Sequence, residues 1–204
     1  MVDMNNLNSI LLDVLKELGN IGSGNAATAL ATMIDKKVDM RVPQVKILEF
    51  KDVGEILGDS ETPVVGIYFK MSDEIEGNIM FVLDIDSALN LTNMLFGRSN
   101  SKNELDEMDM SALSEVGNIL SASYINSLSA LTGLKLKLSV PSICVDMAAA
   151  ILSVPAVQFG HIGEHVIFIE TQFEEDDRLI TGDLFLIPEV DSFEKILSSL
   201  GVVG

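Results

Sequence analysis

Apolar and polar positions follow two periods along this chain, and together these periods predict an α+β protein. Helical spacing of Leu11, Val14, Leu15 and Leu18 predicts a long helix over residues 6–34. The same spacing predicts further helices over 52–58, 85–97, 110–132, 146–152 and 190–200. Alternating or short apolar runs predict strands over 37–43, 63–71, 75–84, 134–140, 154–159, 164–173 and 178–187.

A pattern of polar residues occurs twice, 98 residues apart, in each of the two longest predicted helices and the segment that follows. Asp13, Glu17, Asn20 and Pro43 recur as Ser111, Glu115, Asn118 and Pro141. Both copies have the same length between the first and last positions. Core helices share apolar residues by chance far more easily than they share Glu-x-x-Asn with a proline at a fixed distance. The repeat therefore indicates two related halves with two equivalent surfaces.

The similarity continues more loosely beyond the prolines. Residues 77–83 (GNIMFVL) resemble residues 182–188 (GDLFLIP), and the offset has grown from 98 to 105. The second copy therefore contains additional residues, and we place them between residues 142 and 175.

The repeat also predicts the domain organisation. We expect one domain over residues 1–204, made of two homologous repeats at about 6–97 and 104–204. Between them, the stretch 98–109 is the one that is polar and charged in the manner of a linker. The two halves are expected to share a β-sheet, with the two motif-bearing helices on the surface.

The composition narrows the possible partners. A hydrophobic fraction of 48% favours a folded core over disorder, and the single cysteine, Cys144, suits a reducing compartment. A net charge of −18 would repel nucleic acid and anionic membrane surfaces, so it favours a partner with a basic patch. No apolar run approaches the roughly 18–20 residues that span a bilayer, and the N-terminal segment does not resemble a signal peptide. We therefore expect a cytoplasmic protein without membrane insertion.

Two motifs that suggest ligands are weak in this chain. The glycine-rich stretch Gly19–Gly24 falls inside a helical pattern, where small residues let a neighbouring helix pack closely, so nucleotide binding is not supported. His161 and His165 are four residues apart, but they flank Gly163 before a predicted strand and have no third ligand nearby. We expect no metal site and no cofactor of the protein's own.

Helical geometry places the repeated polar residues on one stripe. At about 100° per residue, Asp13, Glu17 and Asn20 lie within about 60° of one another, opposite the leucine-rich side of the helix. The second helix repeats this arrangement with Ser111 at the first position. The three polar residues of each copy are therefore expected to face solvent rather than a cleft.

These residue types limit the chemistry. The stripe contains no nucleophile beside a base and no histidine, and it has too few oxygens to enclose a metal. It could complete an active site on another protein, because a carboxamide can accept from and donate to one water molecule, as glutamine does in GTPases. A carboxylate one turn away could pair with a lysine of the partner. The non-functional alternatives are that these polar residues are only solvated surface and that each proline only ends a strand.

The repeated pattern D/S-x3-E-x2-N-x22-P resembles the signature of the CheC/CheX/FliY phosphatases of bacterial and archaeal chemotaxis, and both copies satisfy every position. The resemblance covers essentially the whole chain. Within the family, a CheX-like protein is expected to be a shorter chain with one copy of the motif. A FliY-like protein is expected to be a longer chain with an added flagellar-switch domain. The chain is therefore most similar to the CheC branch of the family.

The resemblance implies hydrolysis of the phosphoaspartate of the response regulator CheY. It implies that Asn20 and Asn118 orient the attacking water and that Glu17 and Glu115 pair with an active-site lysine of the regulator. Mg²⁺ would be held by CheY, so the chain would need no metal ligands of its own.

The resemblance also assigns the remaining motif positions and a second partner. It implies supporting contacts for Asp13 and Ser111 and structural roles for Pro43 and Pro141. It further implies binding of the receptor deamidase CheD through the short second-half helix, at Asp146, Met147, Ala148, Ala149, Ala150, Ile151 and Leu152. Two alternatives to a phosphatase stay open: a non-catalytic adaptor for CheD or CheY, and a purely structural component of the flagellar switch.

Overall fold

The structure is a computed structural model that describes residues 4–98, 104–159, 165–175 and 178–201. Its α-helices are α1 (Met4–Ile34), α2 (Val53–Leu57), α3 (Ile85–Leu95), α4 (Glu107–Thr132), α5 (Ala148–Phe159) and α6 (Val190–Ser199). Its strands are β1 (Asp39–Arg41), β2 (Val45–Glu49), β3 (Pro63–Asp73), β4 (Gly77–Asp84), β5 (Leu136–Leu138), β6 (Ser142–Met147), β7 (His165–Glu175) and β8 (Arg178–Pro188). A 3₁₀ turn, Phe50–Asp52, precedes α2.

The strands of both halves form one antiparallel sheet. The order is β1-β7-β8-β4-β3-β5, with β2 also paired to β7 and β6 also paired to β3. This order is symmetric about the central β4–β8 pair, where Met80 lies opposite Phe185. The α+β fold class with two homologous halves that share a sheet is therefore confirmed. The boundaries of the repeats, about 6–97 and 104–204, stay a prediction.

Both faces of the sheet are covered, which explains why its central strands are almost continuously apolar. Along β4, Ile79, Phe81 and Leu83 enter the larger core, which α1, α3, α4 and α6 cover. Met80 and Val82 point to the opposite face and enter a smaller core beneath α2 and α5. The alternation follows from the two-residue period of a strand.

The helices α1 and α4 pack against each other through a small residue. A side chain on Gly22 would overlap the ring of Tyr124, whose hydroxyl lies 3.2 Å from that of Thr171 in β7. The expectation that small residues of the Gly19–Gly24 stretch allow close helix packing is confirmed for Gly22. Gly24 has open space around it and does not take this role.

Some predicted elements were wrong. Residues 154–159 continue the helix α5 instead of forming a strand, because a short apolar run has no period that separates a strand from a buried helix. The strands β2 and β6 were missed, and Asp146 and Met147 belong to β6 rather than to the helix that follows. The helix α4 begins at Glu107, inside the stretch that resembled a linker.

The additional residues of the second half lie mainly in a longer hairpin. In the first half, Met71 pairs with Gly77, so the hairpin encloses five residues between them. In the second half, Thr171 pairs with Gly182, the residue that matches Gly77, and ten residues lie between them. Most of the insertion therefore lengthens the β7–β8 hairpin, which extends beyond the predicted limit of residue 175.

Candidate functional site

The first copy of the motif lies on the outer side of α1. Asp13, Glu17 and Asn20 are exposed, and we call these three residues the first motif surface. The opposite side of the helix enters the core through Leu11, Leu15 and Leu18. Among the described residues, none of the three polar side chains has a hydrogen-bond or ion-pair partner. The predicted solvent-facing stripe is therefore present, and its polar groups are available to a partner.

The second copy lies in the same way on α4. Ser111 and Glu115 are exposed and Asn118 is half-buried, and we call these three residues the second motif surface. The side of α4 that enters the core contains Leu113, Val116 and Leu120. Within the described part of the chain, the polar side chains of this surface also lack hydrogen-bond partners. The prediction for this copy is confirmed except that Asn118 is less exposed than Asn20.

The start of α4 is fixed by a buried ion pair and a capping box. The Asp109 amide donates to the Asp106 carboxylate at 2.9 Å, and the Asp106 amide donates to the Asp109 carboxylate at 3.1 Å. Arg98, just after α3, donates from Nη1 to Asp109 Oδ1 at 2.5 Å, and its guanidinium lies over the ring of Phe96. The Asp109 side chain is completely buried. This arrangement connects the end of α3 to the helix turn that precedes Ser111.

The two prolines lie in differently packed loops. Pro43 is exposed and follows Val42, whose Cγ1 would lie 3.0 Å from a side chain built on Gly19. The loop after β1 therefore rests on α1 at the residue before Asn20. Pro141 is half-buried, but the preceding Val140 is 83% exposed.

The corresponding glycine of α4 has a different neighbour. A side chain built on Gly117 would lie 2.9 Å from Ile67 of β3, so this part of α4 packs on the sheet rather than on the loop. The two motif surfaces therefore share their polar residues but not the contacts beneath them.

The segment assigned to CheD is only partly at the surface. Ala148 and Ile151 are 2% and 1% exposed, and the Tyr68 hydroxyl donates to the Ile151 carbonyl oxygen. Met147 is 53% exposed at the end of the edge strand β6. The surface that this segment offers consists of Asp146, Met147 and Ala149, with Ala150 and Leu152 half-buried.

An acidic pocket of about 530 Å³ lies on the other face of the sheet, beside α2. Glu170 and Asp183 are directly opposite each other on β7 and β8. Burial, followed by the charges of Glu170 and Asp84, raises the pKa of Asp183 to about 7. The sequence analysis did not predict this pair. Asp183 corresponds to Asn78 in the first half, so the second half carries a charge at a position where the first half has none.

The described residues provide no evidence for a metal-binding site. No three side chains of His, Cys, Asp or Glu gather there in a way that could hold a metal ion. His165 stacks on Phe193 with ring centroids 5.2 Å apart, and His161 lies outside the described residues. None of the helices in these ranges has both the length and the apolar character needed to cross a membrane.

Comparison with known proteins assigns the family. The sequence model of the CheC-like family matches residues 10–47 and 108–145, two segments that are 98 residues apart and contain both motif copies. The chain is also 35% identical over 195 residues to the CheY-P phosphatase CheC of Bacillus subtilis (strain 168), covering 93% of each protein. The chain belongs to the CheC-like family. The resemblance found in the sequence is thereby confirmed.

Solved structures share this fold more widely. FliY of Thermotoga maritima superposes with a TM-score of 0.73 at 24% identity, covering 98% of each chain. The FliM middle domain from H. pylori superposes with a TM-score of 0.65 at 14% identity, covering 92% of this chain and 97% of that one. Because identities below 25% show only the fold, the function has to be inferred from the motif surfaces and from the closer sequence relative.

Proposed function

We propose that this chain hydrolyses the phosphoaspartate of the response regulator CheY at two similar sites. It is a phosphatase of the CheC-like family, as the 35% identity to the CheY-P phosphatase of Bacillus subtilis over 93% of both chains indicates. The observation that carries the proposal is the pair of Glu-x-x-Asn stripes, whose side chains are exposed except for the half-buried Asn118 and have no partner within the described protein, and which contain no nucleophile or histidine. Such stripes suit a site that is completed by the substrate protein.

In the proposed reaction, Asn20 or Asn118 positions water against the phosphorus atom. The carboxamide oxygen accepts a hydrogen bond from the water, and the amide nitrogen can donate to a phosphoryl oxygen. The water oxygen forms a bond to phosphorus while the bond to the aspartyl oxygen breaks. The regulator's aspartate leaves as a carboxylate, and the water protons pass to inorganic phosphate and solvent. Orientation of this kind lowers the barrier by fixing the nucleophile in line.

Glu17 and Glu115 are proposed to fix the docking register. Each lies one turn before its Asn on the same exposed stripe and could form a charge-assisted hydrogen bond with a lysine of the regulator. The net charge of −18 would favour approach of a basic patch. Asp13 and Ser111 would add contacts at the edge of each surface.

The remaining assignments are structural or belong to the partner. Pro43 and Pro141 would shape the loops beside the helices. Mg²⁺ would enter with the phosphorylated regulator, as part of the substrate, and no cofactor of the chain's own is proposed. A cytoplasmic location is proposed because the regulator acts there.

We further propose CheD as a second partner, through the exposed part of the assigned segment. Asp146, Met147 and Ala149 present a carboxylate and an apolar surface next to each other. Substituting Met147→Lys would place a charge in this contact and weaken CheD binding without touching either motif surface. A non-catalytic adaptor would need only this segment, whereas the same spacing of Glu and Asn in both copies favours the enzyme.

The decisive experiment follows the decay of radiolabelled phospho-CheY. Wild-type protein should accelerate the decay, Asn20→Ala and Asn118→Ala should each lower the rate, and the double variant should abolish the acceleration. Asn25→Ala, an exposed asparagine of α1 away from the stripe, is the matched control and should keep full activity. Activity in the double variant would refute the water-positioning role, and circular dichroism would verify that the variants remain folded.

A further inference from the structure

One large exposed apolar side chain lies at the N-terminal end of the second motif surface. Met108 is 61% exposed in the first turn of α4, three residues before Ser111. Single exposed apolar residues are common on protein surfaces and need no explanation by themselves. The position of Met108 on the helix is what distinguishes it from exposed residues elsewhere.

Helical geometry puts Met108 on the motif stripe. At about 100° per residue, it lies about 60° from Ser111 and only about 20° from Glu115 around the helix axis. The first motif copy has Ile10 at the matching position, so both copies place an apolar residue three positions before the first motif residue. Met108 is not among the described residues that form or pack against either apolar core, so its place on the solvent-facing stripe does not follow from packing within the protein.

The first turn of α4 is also well fixed. Asp106 and Asp109 form the capping box around Met108, and Arg98 holds the Asp109 carboxylate. A partner that binds Met108 would therefore not have to order the backbone, and only the flexible side chain would lose freedom. Methionine adapts its shape to a partner, which suits it to such a contact.

We propose that Met108 is the apolar anchor with which the second motif surface binds phosphorylated CheY. This inference rests on the proposed function and adds to it a contact that the motif does not contain. The partner surface would be an apolar patch beside the regulator's active site, while Glu115 and Asn118 engage its polar groups. An anchor at the end of the stripe acts in binding and not on the reacting atoms, so it should change KM rather than kcat.

The test isolates each motif surface by removing the Asn of the other. In the Asn20→Ala background only the second surface works, and Met108→Ala should raise KM for phospho-CheY roughly 5- to 20-fold with kcat unchanged. Met108→Leu should restore most of the affinity. In the Asn118→Ala background only the first surface works, and Met108→Ala should leave KM unchanged. Met33→Ala removes a methionine that is 43% exposed near the other end of α1, and it should have no effect in either background.

The outcomes separate this inference from the proposed function. An unchanged KM for Met108→Ala in the Asn20→Ala background would overturn the anchor, and so would an equal effect in the Asn118→Ala background. An inactive Asn20→Ala variant would also overturn it, because the second surface would then turn over no regulator. By contrast, activity that survives in the Asn20→Ala, Asn118→Ala double variant would count against the proposed function itself.

Discussion

The helices α1 and α4 present the same polar pattern but rest on different supports. Two residues before the second motif copy lies the buried Asp109, paired with Arg98, whereas the matching position in α1 is Leu11, which is 5% exposed in the apolar core. The loop beyond α1 rests on Gly19 through Val42, but the matching Val140 beside α4 is 83% exposed. The two copies are therefore more alike in the polar pattern of their helices than in the contacts that hold those helices.

This difference predicts that the two surfaces respond to different substitutions. The first depends on a loop that packs against its helix, and the second depends on an ion pair at the start of its helix. We expect substitutions at the start of α4 to change stability more than substitutions in the loop beyond α1.

Removing the buried carboxylate should have the largest effect. Asp109→Ala would leave the Arg98 charge without this partner and remove half of the capping box, so we expect the free energy of unfolding to fall by about 3 kcal/mol. The Arg98 side chain is 22% exposed and can reach water. The expected loss of stability therefore lies at the lower end of the range for breaking a buried ion pair. Urea denaturation followed by circular dichroism would measure it.

The matched control copies the arrangement of α1. Asp109→Leu combined with Arg98→Met places in α4 the residue that α1 has at this position and leaves no charge unpaired, so the loss should fall to about 1 kcal/mol. In activity assays with a single working surface, both variants should affect the second surface and spare the first. Equal stability of the Asp109→Ala variant and the double variant would show that the unpaired Arg98 charge is not the cause of the loss.

The sequence predicted the candidate surfaces well because they depend on local geometry. The period of a helix determines that Asp13, Glu17 and Asn20 share a side, and the buried leucines determine that this side faces solvent. The strands β2 and β6 were harder to predict, because they are short and are defined by pairing with distant segments of β7 and β3. Nonlocal pairing leaves little trace in the pattern of a short strand.

The supports could not be predicted for a related reason. Arg98 and Asp109 belong to a stretch that looks like a charged linker, and only the packed structure shows that the carboxylate is buried. The contact between α1 and α4 was also not predictable, because Gly22 accommodates Tyr124 although the second copy's counterpart of Gly22 is Leu120. Tertiary contacts that differ between two copies of a repeat cannot be read from the similarity of the copies.

The second prediction uses the match between Asp183 and Asn78. The folded protein raises the pKa of Asp183 from 3.8 to about 7, so the native state binds more protons than the unfolded state between these values. The free energy of unfolding should therefore fall as pH rises from about 4 to 7 and then level off. Asp183→Asn, which copies the first half, should stabilise the protein by about 2 kcal/mol at pH 8.

Thermal unfolding across a pH series would check this prediction. The advantage of Asp183→Asn over wild type should shrink as pH falls and vanish below about pH 3, where the wild-type carboxyl is protonated in both states. Glu170→Gln provides a control, since it removes a charge that faces Asp183 and should give a smaller gain of the same sign. A stabilisation that does not depend on pH would mean that repulsion and burial of this carboxylate are not the cause.

The third prediction concerns the loops beside the two surfaces and has the smallest effect. Val42→Ala removes methyl groups that pack against Gly19, so it should cost about 1 kcal/mol of stability, whereas Val140→Ala should change stability by less than about 0.5 kcal/mol. With only the first surface working, Val42→Ala should lower the rate of phospho-CheY decay a few-fold, because Asn20 follows the glycine on which this loop rests. Val140→Ala should not change the rate at the second surface. Equal effects of the two substitutions would show that the loops support both helices alike, and the contrast between the supports would then be confined to the start of α4.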